Sequence, residues 1–159
     1  MKKRLLLLFL ILIIIIWQTI STYEETVKSK KEGEQRAISI AKKEAMLTSI
    51  DQVSTYYGAS VYQVVIGSNK EEENLIVWVP EKEGDLIIKG EKDGITKDKV
   101  IEQLINERNP EKILSTTLGI DEQSTPIWEI TYIDNQNRYT FYYVFFETGL
   151  FKERYSFQR

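Results

Sequence analysis

The sequence predicts an α+β protein: an N-terminal transmembrane helix followed by two tandem units, each a helix packed on a curled antiparallel sheet. Three observations predict it. Residues 5–17 are an unbroken apolar run of 13 behind a basic tip. The rest of the chain runs twice through one order, a helix-spaced apolar stripe and then four strand-like segments. Glycine, proline and asparagine clusters separate those segments at short intervals.

The apolar run comes first. Extended to Tyr23 it is 19 residues, about 28 Å as a helix and close to the hydrocarbon thickness of a bilayer. The strict run alone also fits the apolar part of a cleaved signal peptide. An uncleaved anchor is favoured because no Ala-x-Ala-like site follows and because Trp17 and Tyr23 stand where interfacial aromatics belong. Lys2, Lys3 and Arg4 precede the run, and no acidic residue occurs before Glu24. The positive-inside tendency therefore places the tip in the cytoplasm and the body outside.

Residues 24–33 are charged and without a sustained period. They read as a linker or as a solvated helical extension. The first unit follows over residues 34–92. Ala37, Ala41 and Ala45 recur at helical spacing. Strands are expected over 53–57, 62–66, 75–79 and 85–89, with Pro80 ending the third. The second unit spans residues 93–159. Thr96 is the expected N-cap of a helix carrying Val100, Ile101, Leu104 and Ile105, with Asp98 in its first turn. Asn109-Pro110 ends that helix. Strands are expected over 113–117, 127–133, 139–147 and 150–156, with Gly119 mirroring Gly58 and a polar turn at 134–137. Trp78 and Trp128 read as related core positions of the two units.

Composition narrows the chemistry. The chain has 24 acidic and 21 basic residues and no histidine or cysteine. Disulfides, thiol nucleophiles, histidine-based triads and Cys/His zinc sites are thereby excluded. Outside the basic tip the balance is 18 basic against 24 acidic, a formal −6, which disfavours nucleic acid as a partner. Glu71, Glu72 and Glu73 read as a solvated hairpin loop. Asp121 and Glu122 stand in another loop with no evident partner. No phosphate-binding glycine loop or calcium loop occurs, and no cofactor is expected.

Eleven of the 18 aromatic residues lie between Trp128 and Phe157. In the strand over 139–146, Tyr139, Phe141, Tyr143 and Phe145 share one face, and Thr140, Tyr142, Val144 and Phe146 share the other. Both faces are apolar, which fits a central strand buried on both sides, an aromatic face that binds a protein, or a sugar-stacking platform. The candidate partner contacts are Tyr142, Phe146 and Trp78. Trp128 and Gly149 are assigned structural roles, Gly149 at a tight turn.

The tail residues Trp128, Ile130 and Gly149, the aromatic strand over 139–146, the alanine stripe and the basic-tipped apolar start together resemble the YpmB/TseB-like family of Gram-positive bacteria. The resemblance spans essentially the whole chain, and in the first unit only Trp78 and Gly84 are comparable marks. It implies tandem cystatin-like folds related to PepSY domains. It also implies a single-pass, extracytoplasmic, non-enzymatic regulator of cell-wall elongation whose partner is a penicillin-binding protein. Two alternatives remain open: a PepSY-like peptidase inhibitor and a carboxylate-dependent wall hydrolase.

Overall fold

The computed structural model describes residues 14, 16–18, 28, 30–82 and 84–159. The chain divides into two compact units, Met1–Arg36 and Ala37–Arg159. The anchor expected over residues 5–23 falls mostly outside the described residues. Among those described, no helix is long and apolar enough to cross a membrane. Residues 30–44 are helical (α1), so helix occupies part of the charged segment read as linker or helical extension. Its pair Lys30–Glu34 stands at i,i+4, as does Lys28–Glu32 at its start, a spacing that stabilises a helix by about 0.3–0.5 kcal/mol per pair.

The body is all antiparallel apart from α1 and a second helix. Strands β1 (Ser49–Tyr57), β2 (Val61–Ser68), β3 (Asn74–Pro80) and β4 (Ile87–Gly90) form one four-stranded meander. A 3-10 turn (Glu91–Asp93) leads to α2 (Lys97–Arg108). Strands β5 (Lys112–Ile120), β6 (Pro126–Ile133), β7 (Arg138–Phe145) and β8 (Phe151–Gln158) form the second meander. α2 begins as its sequence requires, with the Thr96 hydroxyl accepting from the Lys99 N–H, and ends at Asn109 in the left-handed conformation.

Three hairpins share one turn design. Asn69, Asp121 and Asp134 each use Oδ1 to accept the backbone N–H groups two and four residues on, at 2.8–3.0 Å. The residue three positions after each of them, Glu72, Ser124 or Asn137, has positive φ. A short side-chain acceptor satisfies donors that the turn would otherwise expose, which is why Asn and Asp head these loops. Asp121 therefore does have partners. Besides capping its turn it lies 3.7 Å from Lys152 Nζ.

The repeat can be read at the level of register. β1 carries a bulge between Ile50 and Gln52, and β5 carries one between Ile113 and Ser115. Superposing the bulges and the helix-facing sides aligns Val65 with Ile130 and Val77 with Tyr142, since these pair across the second and third strands of each sheet. Trp128 then corresponds to Gln63, and Trp78 to Tyr143. The two tryptophans are both buried, but they do not occupy related positions: they sit on different strands and opposite faces. Gly119 corresponds to Tyr56 rather than to Gly58.

Two cores result. Ala37 and Ala41 of α1, with Ala45 and Leu47 just after it, pack against Val65, Val77 and Val79 of the first sheet. Their small side chains let helix and sheet approach closely. The opposite face of that sheet, with Tyr62, Val64, Ile76 and Trp78, joins a larger core. This core takes in Val100 and Leu104 of α2, Trp128 and Ile130 of β6, Tyr142 and Val144 of β7, and Phe146. Trp78 meets Phe146 edge-on at 5.6 Å, an arrangement aromatic quadrupoles favour. Each large apolar side chain buried here contributes about 1.5–3 kcal/mol. The first sheet is thus covered on both faces. The second is covered by α2 and the first sheet on one face; among the described residues the other carries a cap from Tyr56 of β1 at one end.

Candidate functional site

The three residues offered as partner contacts are corrected by burial. Trp78, Phe146 and Tyr142 are 0%, 1% and 3% exposed. Alternation along β7 decides this. Thr140, Tyr142 and Val144 point into the shared core, and Phe146 just beyond the strand joins them. Tyr142 keeps its hydroxyl satisfied by donating to Glu107 Oε2 at 2.9 Å, and Arg108 lies over its ring. Burial and the bond to Glu107 push its phenol up to about 12. Trp128 is buried and its indole N–H donates to the Ile95 carbonyl at 2.9 Å, tying β6 to the segment before α2. The Trp78 indole N–H has no such partner. Gly149 has φ +68 and its N–H donates to the Phe145 carbonyl, closing the β7–β8 turn in a conformation glycine adopts without strain.

The surface lies on the other side of the same strand. Cross-strand pairing puts Tyr139 opposite Phe157, Phe141 opposite Tyr155 and Tyr143 opposite Glu153. Tyr139, Tyr155 and Phe157 are exposed, while Phe141 and Tyr143 are half-buried beneath them. The rings contact one another edge-on, Phe141 with Phe157 and Tyr143 with Tyr155. β8 is the edge of its sheet, so this aromatic patch adjoins a row of unpaired backbone groups. The candidates Tyr142 and, just past the strand, Phe146 belong to the opposite face of β7, which is aromatic too. The signal available in the sequence was β8, where Tyr155 and Phe157 alternate with polar Arg154, Ser156 and Gln158.

At one end of this face Tyr56 reaches over from β1. Its ring lies against Gly119, where an added Cβ would clash with the ring. Its hydroxyl donates to Glu129 Oε2 at 3.2 Å. Tyr143 and this carboxylate line one cleft. Burial pushes the Glu129 carboxyl above its usual range, and the neighbouring Tyr56 and Tyr143 hydroxyls counter that only in part. Burial first, and then the nearby Glu129, raise both tyrosines well above a free phenol. The cleft is half-open, about 470 Å³, and also lined by Asp121, Lys152 and Tyr155. A bulge between Tyr143 and Val144 inserts Lys152 into β8, and its ammonium pairs with Glu153 at 2.7 Å. Among the described residues no group of side chains comes together as a metal site.

Residues 36–80 match the family model described as the cell wall elongation regulator TseB-like domain. That match falls on α1 and β1–β3, whereas the residues quoted for the resemblance lie mostly in the tail. The chain is 35% identical over 136 residues to the probable cell wall elongation regulator TseB of Bacillus subtilis (strain 168), covering 85% of this chain and 84% of that protein. The solved structure of the YpmB protein from Bacillus subtilis is 36% identical, with a TM-score of 0.73 over 79% of this chain and 98% of that one.

Proposed function

The chain belongs to the TseB-like family of cell wall elongation regulators, and on that premise we propose that it is a membrane-anchored, extracytoplasmic, non-enzymatic regulator that acts by holding a penicillin-binding protein. One observation carries the docking site. The face bearing Val64 and Trp78 in the first sheet is buried against the second. The corresponding face of the second sheet is left with Tyr139, Tyr155 and Phe157 exposed. Clustered aromatics at a sheet edge are what a protein interface uses, because they bury much area at little entropic cost.

The apolar run at 5–17 behind Lys2, Lys3 and Arg4 supports the anchor. Tethering confines both proteins to one surface and makes a modest affinity sufficient. The experiment is in-cell photocrosslinking from Phe157, with exposed Lys42 on α1 as the control position. Capture of a penicillin-binding protein from Phe157 and not from Lys42 is expected. Capture from neither position, or equally from both, overturns the docking site.

A further inference from the structure

Glu129 is out of keeping with its surroundings. In the register that aligns the two units it corresponds to Val64, a residue fully buried in the shared core. The scaffold position that holds valine where the face is covered holds a carboxylate where the face is open. That carboxylate is half-buried; it accepts the Tyr56 hydroxyl at 3.2 Å, and Tyr143 lines the cleft with it. Among the described residues no lysine or arginine pairs with it. The cation of the cleft, Lys152, is engaged by Glu153 at 2.7 Å and Asp121 at 3.7 Å. The lining carries Asp121, Glu122, Glu129 and Glu153 against that single lysine. A partly desolvated anion without a cation is costly to maintain, and a bound cation offsets the cost. Tyr143 and Tyr155 line the cleft as well, and an aromatic ring attracts a cation placed over its face.

We propose that this cleft receives the cationic side chain of a lysine or arginine presented by a protein partner. The size fits: about 470 Å³ with Glu129 in its lining, room for an aliphatic stem and a charged head. A protein is the source because the cleft is continuous with the aromatic face. Tyr143 and Tyr155 meet edge-on at 6.2 Å, and they line both. A partner seated on Tyr139 and Phe157 therefore has the cleft within reach of one side chain. The source, though not the cation site, rests on the docking reading given above.

The test separates the two. The tyrosine ring signals of the full-length protein in detergent are followed by NMR while N-acetyl-lysine amide, N-acetyl-arginine amide or N-acetyl-norleucine amide is added. Saturable shifts at Tyr143 and Tyr155 are expected with the two cations, in the millimolar range usual for one side chain, and none with norleucine. Glu129→Gln keeps an acceptor for the Tyr56 hydroxyl and is expected to weaken cation binding about tenfold. Tyr155→Leu, at an exposed position, is expected to weaken it as well without altering the melting temperature. No saturation up to about 50 mM, an equal response to norleucine, or unchanged binding by Glu129→Gln overturns the cation site. Probe binding without capture at Phe157 keeps the cation site and overturns the docking reading; capture without probe binding does the reverse.

Discussion

The hydroxyl of Tyr56 donates to the carboxylate of Glu129 at 3.2 Å, across 73 positions of sequence. That bond and the seat of the Tyr56 ring on Gly119 fasten the end of β1 to the open face of the second sheet. Tyr56 and Gly119 hold corresponding positions in the two units, so one large and one absent side chain make the joint.

Gly119→Ala therefore strikes the joint directly. A methyl group there clashes with the Tyr56 ring, which has to move and give up its bond to Glu129. Overpacking of this kind costs about 1–3 kcal/mol. Urea denaturation followed by tryptophan fluorescence measures it, and an unchanged midpoint would show that the ring is not held there.

Glu129→Gln should stabilise the protein at neutral pH and lose that advantage in acid. The folded carboxyl titrates above its usual value of 4.5, so the folded state binds the proton more tightly than the unfolded state does. Stability linked to Glu129 is then fully present below pH 4.5 and is lost as pH rises through the folded value. The gap between parent and variant should open across that window in melting curves. A gap of constant size would contradict it.

Tyr142 gives an alkaline counterpart. Its phenol titrates at about 12 in the folded protein against 10.0 unfolded. Its share of stability is complete below pH 10 and falls as pH rises through 12. Spectrophotometric titration of phenolate should find Tyr142→Phe short of one late-ionising tyrosine. A loss from the early-ionising group instead would place Tyr142 in water.

Met46 offers a gain. It follows α1 with φ 54 and is 73% exposed, so its side chain contributes little while its backbone occupies the left-handed region. Met46→Gly should stabilise by about 0.5–1 kcal/mol, read as a higher melting temperature. A loss would mean that the side chain packs more than its exposure indicates.

Ala41→Leu tests the smaller core. Ala41 is fully buried between α1 and the first sheet, and added volume there should destabilise by about 1–3 kcal/mol. Chemical denaturation measures it. A neutral result would mean that α1 can lift from the sheet without penalty.

Much of this was readable without coordinates. β-branched and aromatic runs between polar turns located all eight strands, because half-buried strands need such side chains and hairpins need Asn, Asp or Gly at their bends. Thr96, Asp98 and Asn109 marked the ends of α2 for the same kind of local reason. The site was not readable from β7, because both of its faces are aromatic and periodicity alone does not say which face meets another layer. That depended on where the first sheet comes to rest, a contact between residues some 65 positions apart. Tyr142, Phe146 and Trp78, candidate contacts by sequence, are core for this reason.

Local chemistry determined the elements of this protein, their order and their turns, since each rests on interactions within a few residues. The tertiary structure alone decided which of two similar sheets is covered on both sides. It thereby turned Val64 and Trp78 into core, and Glu129 and Tyr143 into the wall of an open cleft. The physical reason is that burial belongs to a pair of surfaces, and the second surface is distant in sequence.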